Sequence, residues 1–196
     1  FSLFGEENCA GVLSCAMDMW DPYEAAVRKY CPGAEIVYDP FHIISAYGRE
    51  VVDKTRVEEF KKAQGKHKDA YKGTRYILLS NPENLKDWQQ EKLSEFLALN
   101  KRIFAVYLLK EDLKRLFRYR SPYHAKRFFR GWYLRAIYSK IEPLKKFARM
   151  LKRRLPGILA HCRYPIHTSV LEGINNKIKV IKRVAYGYRD EEYFFL

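Results

Sequence analysis

Two short apolar runs with a helix-like stretch between them open the chain. Val12-Leu13-Ser14-Cys15-Ala16-Met17 ends on Asp18. Pro22 leads into Tyr23 to Tyr30, which Pro32-Gly33 stops. Glu35-Ile36-Val37-Tyr38 follows, β-rich and again ending on a carboxylate, Asp39. Short apolar runs bounded by turn signals read as buried strands, and two of them joined by a helix make a βαβ unit whose right-handed crossover sets them parallel. The pattern therefore predicts that Asp18 and Asp39 emerge at one edge of a sheet, where open α/β sheets place their chemistry.

Beyond Asp39 the apolar period becomes helical. Pro40 suits a first helical position, and Phe41 to about Gln64 reads as one long helix with Arg49, Asp53, Lys54 and Arg56 on its wetter faces. Gly65 to Lys72 is a polar break. Asn84 to Asn100 is amphipathic, with Leu85, Trp88, Leu93, Phe96, Leu97 and Leu99 on a broad apolar side. Helices are expected over Ile103 to Tyr119, Tyr123 to Lys140 and Leu144 to Leu155, punctuated by Ser121-Pro122, Pro143 and Pro156-Gly157. No internal repeat or low-complexity tract interrupts them.

The last helix, Ser169 to Ala185, carries two stripes. Leu171, Ile174, Ile178, Ile181 and Ala185 share one side; Glu172, Asn175, Asn176, Lys179 and Arg183 share the other. One acid heads a face otherwise made of amides and bases. Such a face suits a metal-binding carboxylate beside groups that grip a phosphate backbone, and it equally suits an ordinary surface helix with a basic exposed side.

A chain of 196 residues, 47% hydrophobic and 15% aromatic, supplies one core with a helical appendage and too little for two full enzyme domains. No apolar run is long enough to span a membrane, and the first residues carry Glu6 and Glu7 in place of the basic start of a secretory signal. The start at Phe1 and the abrupt end at Phe194-Phe195-Leu196 read as a piece of a longer protein. Cys9, Cys15, Cys31 and Cys162 lack CxxC spacing and sit mostly among apolar neighbours, which suits a reducing cytosol. His161-Cys162 and His167 lack the second pair that zinc spacing requires.

Charge narrows the choice of partner. The formal net charge is +14, and Lys110 to Arg154 holds 16 Lys and Arg against only Glu111, Asp112 and Glu142, a local +13. Positive charge so concentrated in an aromatic-rich folded segment points to a polyanion, of which nucleic acid is the commonest. A solvated helical face is the plainer alternative. Arg118, Arg120, Lys126, Arg127, Arg130 and Arg135, interleaved with Phe117, Tyr119, Phe128, Phe129 and Trp132, are candidates to line a DNA path, although more of those aromatics belong to a core than to a contact surface.

Carboxylates at strand ends add possible chemistry. In-line attack at phosphorus needs divalent ions clamped by acidic side chains, and Mg²⁺ takes oxygen ligands in near-octahedral geometry. Asp18 at a strand end and Glu172 on a late helix are the candidates, with Asp39 a third and Asp21 a weaker fourth. A strand-end Asp is also a common turn or cap residue.

Three stretches carry a resemblance. Met17-Asp18-Met19-Trp20-Asp21-Pro22-Tyr23, Asp39-Pro40-Phe41-His42 and Glu172-Gly173-Ile174-Asn175-Asn176-Lys177-Ile178-Lys179 resemble signature segments of the DDE transposases of the ISL-three group of bacterial insertion sequences. Ala105 to Glu111 and the tail Ile181 to Asp190 are similar to further parts of that family. The segments stand in order and at fitting distances over nearly the whole chain.

The resemblance implies an α/β fold: a partial RNase H-like core, made of the parallel βαβ unit plus a catalytic helix, interrupted by a large all-helical insertion. Residues 1–42 would be partial core, 43–165 insertion, and 166–196 the catalytic helix and tail. It implies a transposase that cleaves DNA at insertion-sequence ends and transfers a strand into target DNA, using two Mg²⁺ ions for which Mn²⁺ can substitute. Asp18 and Glu172 are then the second and third catalytic carboxylates and metal ligands. Asp39 is a supporting or alternative ligand, and His42 either positions DNA or an acid, or is a capping or core histidine. Asn175, Asn176, Lys179, Arg183, Arg127 and Arg130 would contact DNA. The first catalytic Asp would stand upstream of Phe1, so this segment alone would be inactive. A bacterial, cytoplasmic, nucleoid-associated protein that forms homo-oligomers on DNA and has no membrane contact is implied as well. A non-catalytic basic nucleic-acid-binding relic and a nuclease without strand transfer remain as alternatives.

Overall fold

The computed structural model describes residues 4–166 and 168–184. Its start is a βαβ unit. After a short helix α1 (Glu6–Ala10), strand β1 (Ser14–Met17) leads through helix α2 (Asp21–Tyr30) to strand β2 (Glu35–Tyr38). The strands pair in parallel, from Ser14 opposite Glu35 to Met17 opposite Tyr38, and Asp39 N donates to Met17 O at 3.1 Å beyond the last pair. Val37 and Tyr38 are fully covered. The sheet has these two strands only among the described residues.

The rest is helical. A continuous rod runs through α3 (Pro40–Tyr47), a π-helical segment (Gly48–Asp53) and α4 (Lys54–Lys62), matching the single long helix that the periodicity predicts. Short helices α5 (Lys66–Asp69) and α6 (Thr74–Leu79) precede α7 (Asp87–Leu99), α8 (Lys101–Leu116), α9 (Pro122–Tyr138) and α10 (Glu142–Arg153). The chain then forms α11 (Leu155–Ala160) and α12 (Ser169–Val184). No helix among the described residues is long and apolar enough to cross a membrane. The architecture is a mostly helical α/β arrangement with one small parallel sheet.

The core lies where the rod meets α8, α9 and α10. Tyr47 and Trp132 are buried there, and each places its polar atom on a helix carbonyl: Tyr47 Oη donates to Val106 O and Trp132 Nε1 to Leu109 O, both at 2.9 Å. Buried aromatic rings keep their large apolar area only if the hydroxyl or indole N–H finds such an acceptor. Lys110 is also buried, donating to Leu78 O at 2.6 Å and so holding the end of α6. Burial pushes its ammonium down to about 8.

Two sequence expectations change. Pro156-Gly157 does not end a helix but lies inside α11, with the proline in its first turn. A Cβ on Gly157 would lie 2.5 Å from Tyr38 Cε2, so only glycine lets α11 rest directly on β2. On α7, Leu85 just before it, Leu93 and Phe96 are buried, whereas Trp88 and Leu99 are exposed, so the apolar side is narrower than the sequence suggests.

Candidate functional site

The parallel pairing sets Asp18 and Asp39 side by side, each one residue past its strand's C-terminal end. Their surroundings differ. Asp39 is 2% exposed and caps α3: Oδ1 accepts from Phe41 N at 2.8 Å, while Oδ2 accepts from Thr168 N at 2.7 Å and from the Thr168 hydroxyl. Burial alone would raise its carboxyl, but the hydrogen bonds from Thr168 and Phe41, with His42 nearby, hold it below the ordinary carboxylate range. Both oxygens are therefore occupied.

Asp18 is open. Its side chain is 46% exposed, and Oδ1 lies 3.0 Å from His42 Nε2. Its other oxygen has no hydrogen-bond partner among the described residues. His42 stands on the first turns of α3, three residues beyond Asp39, so the helix that Asp39 caps delivers the imidazole to Asp18. Trp20, Tyr23 and Phe41 are exposed around this edge, Trp20 and Tyr23 edge-to-face at 4.5 Å and Phe41 against His42 at 5.4 Å. The sequence motifs contain these aromatics, but only the fold shows that they face solvent together. Asp21, at the start of α2, forms an ion pair with Arg154 through one oxygen.

Thr168 connects the edge to the last helix. It directly precedes α12, whose fourth residue is Glu172, so the Asp39 contact fixes the chain about one helical turn from Glu172. Asn175, Asn176, Lys179 and Arg183 are exposed on that helix. Ile174 and Ile181 are exposed as well, and Ile178 is half-buried, so their stripe is not covered as a core face would be. Ala185, His167 and the remainder of the family-like tail lie outside the described residues. Among the described residues no three His, Cys, Asp or Glu side chains form a complete metal cage. The unpartnered Asp18 oxygen is a donor of the kind that a hard cation takes.

The basic stretch divides the same way, into tied and free groups. Arg135 is held by Asp112 at 2.7 Å, and Phe129 and Trp132 are core residues. Arg118, Arg120, Lys126, Arg127 and Arg130 are exposed, and none has an ion-pair partner among the described residues. All four cysteines are free thiols.

A carboxylate edge on a parallel strand pair, followed by a long helical body with an unneutralised cationic side, is the class of arrangement expected of an enzyme that handles polyanions. The profile of a family described as transposase, the DDE transposases of the ISL3 group, matches residues 1–196. The chain is 46% identical over 187 residues to the transposase for insertion sequence element IS1001 of Bordetella parapertussis, an alignment covering 94% of this chain and 46% of that protein. It is 27% identical over 215 residues to the transposase for insertion sequence element IS1557 of Mycobacterium tuberculosis, covering 98% of this chain and 48% of that protein. No solved structure matches it. The chain belongs to the ISL3-group DDE transposase family and spans about half the length of the curated relatives it matches.

Proposed function

We propose that this chain is the carboxylate-bearing segment of a DNA transposase that cleaves a strand at the end of its insertion sequence and joins the freed 3′-hydroxyl to target DNA. The observation that carries this reading is the strand edge: an open Asp18 next to a buried Asp39 that anchors the start of the helix bearing Glu172. Asp18 and Glu172 are the catalytic carboxylates and would hold the metal, completed in the family pattern by an Asp on an RNase H-like strand upstream. Residues 1–42 and 166–196 then belong to that core, and 43–165 are its helical insertion. The chemistry supplied by a bound pair of Mg²⁺ or Mn²⁺ ions is activation of the attacking oxygen and stabilisation of the leaving one.

The chain's own residues do the positioning. Full use of the Asp39 oxygens favours Asp18 over Asp39 as the ligand, with Asp39 a positioning residue that fixes α12 against the sheet edge. His42 orients the Asp18 carboxylate from one side and leaves its other oxygen open. Asn175, Asn176, Lys179 and Arg183 would hold the phosphate backbone beside Glu172, while Arg127 and Arg130 extend the DNA path along α9. Two element ends need two active sites, so a homo-oligomer on DNA is the expected working form.

The test is cleavage and joining of a labelled element end by the complete protein in Mg²⁺. Asp18→Ala and Glu172→Ala should each abolish cleavage and leave DNA binding intact. Retained cleavage in both variants sinks the site assignment, and cleavage without joining makes the protein a nuclease.

A further inference from the structure

Along α9 runs an open groove of about 730 Å³, to which α10 contributes Lys152 and the start of α11 Leu155. Its cations are Lys126, Arg127, Arg130 and Lys152, and none forms an ion pair with a carboxylate among the described residues. Its floor is apolar, made by Phe129, Tyr133 and Leu155. Tyr123 at one end is 70% exposed, and its sole ring contact among the described residues, with His124, is edge-to-face at 5.4 Å and leaves ring surface open. Lys152 Nζ lies 5.0 Å above the Tyr133 ring, so ammonium and aromatic already sit together on the groove wall.

We infer that this groove seats an unpaired nucleotide of a DNA strand, its base stacked on Tyr123 at the end of the apolar floor and its flanking phosphates on the four cations. This rests on the DNA-handling reading above and adds which form of DNA the groove takes. A duplex offers phosphates outward and keeps its base faces stacked inside, so for a duplex the cations alone would suffice and the apolar floor would stay empty. A single strand offers both a negative backbone and an exposed aromatic face, the combination that basic grooves with stacking residues recognise. Four unneutralised cations over an apolar floor match that pair of features.

The test is fluorescence anisotropy of the 196-residue chain with a short oligothymidylate strand, a blunt duplex of the same length, and an oligouridylate strand. The thymidylate strand should bind roughly tenfold more tightly than the duplex. Tyr123→Ala, at an exposed position where folding is not at stake, should weaken strand binding about fivefold and leave duplex binding unchanged. Arg130→Ala should lower the salt slope of strand binding by about 0.7, one phosphate contact. Duplex binding as tight as strand binding overturns the proposal, as does an unchanged strand affinity in Tyr123→Ala. Tighter binding of uridylate than thymidylate overturns the choice of DNA. Asp18→Ala is the separating control: it should bind the strand normally. Loss of that site's role in the complete protein would retire the catalytic reading without touching the groove, and equal strand and duplex binding would do the reverse.

Discussion

Around Asp53 and Glu59 the cations of this molecule are neutralised; in the groove along α9, Lys126, Arg127, Arg130 and Lys152 have no ion-pair partner among the described residues. Asp53 accepts from Arg56 at 2.9 Å and from Arg75 at 3.0 Å. Glu59 accepts from Lys62 at 3.1 Å, from Asn100 at 3.0 Å and from Arg102, whose second nitrogen reaches Glu58 at 3.1 Å. These contacts tie α4 to α6 and α8. In the α9 groove Lys126, Arg127, Arg130 and Lys152 have no carboxylate partner among the described residues, although the same residue types are used. Charge alone therefore does not mark a binding face. A cation matched within the fold spends its field locally, whereas unmatched cations sum into a potential that a polyanion can feel at a distance.

Charge reversal should separate the two regions most sharply. Arg127→Glu with Arg130→Glu is expected to lower DNA affinity by on the order of 100-fold at low salt, measured by anisotropy, because two phosphate contacts become repulsions. Arg75→Glu should leave that affinity nearly unchanged; an equal loss there would erase the distinction. Stability should show the converse. Arg102→Ala leaves Glu59 and Glu58 without their shared arginine partner and should cost about 2 kcal/mol, a fall in Tm of about 4–8 °C. Arg130→Ala should stay within about 0.5 kcal/mol.

Acid offers a smaller test of the paired side. Burial alone would raise the Glu59 carboxyl, but hydrogen bonds from Asn100, Lys62 and Arg102 hold it below the ordinary value. Its stabilising contribution is thus complete above the unfolded value of about 4.3 and is lost as pH falls through the lower folded value. Denaturation at about pH 5 and about pH 3 should show a larger acid loss in the wild type than in Glu59→Gln; equal losses would mean that this network does not titrate with folding.

Much of this was legible in the chain itself, and the exceptions have physical causes. The strand pair and the shared edge of Asp18 and Asp39 follow from two apolar runs around a helix. The rod from Pro40 to Lys62 follows from its period. Helices α1, α6 and α11 are too short to display a period, and Gly157 reads as a breaker until Tyr38 is seen beneath it. The Thr168–Asp39 contact joins residues 129 apart in sequence, and the Arg102–Glu59 pair joins residues 43 apart. No local pattern encodes either one. The basic stretch was visible as composition, but its division into tied Arg135 and untied Arg127 and Arg130 depends on where Asp112 folds.

Asp18 and Asp39 form a second contrast of the same kind, one carboxylate open and the other consumed by its partners. Replacing each with Asn in the complete protein, and measuring Mg²⁺-dependent cleavage of element ends beside thermal melting, tests the central claim directly. Asp18→Asn should abolish cleavage with little change in Tm, since the group is half-exposed. Asp39→Asn should lower Tm by about 4–8 °C, because an amide has a single accepting oxygen and cannot accept from both Phe41 N and the Thr168 donors as the carboxylate does, and should retain residual cleavage. Wild-type cleavage by Asp18→Asn would contradict the account.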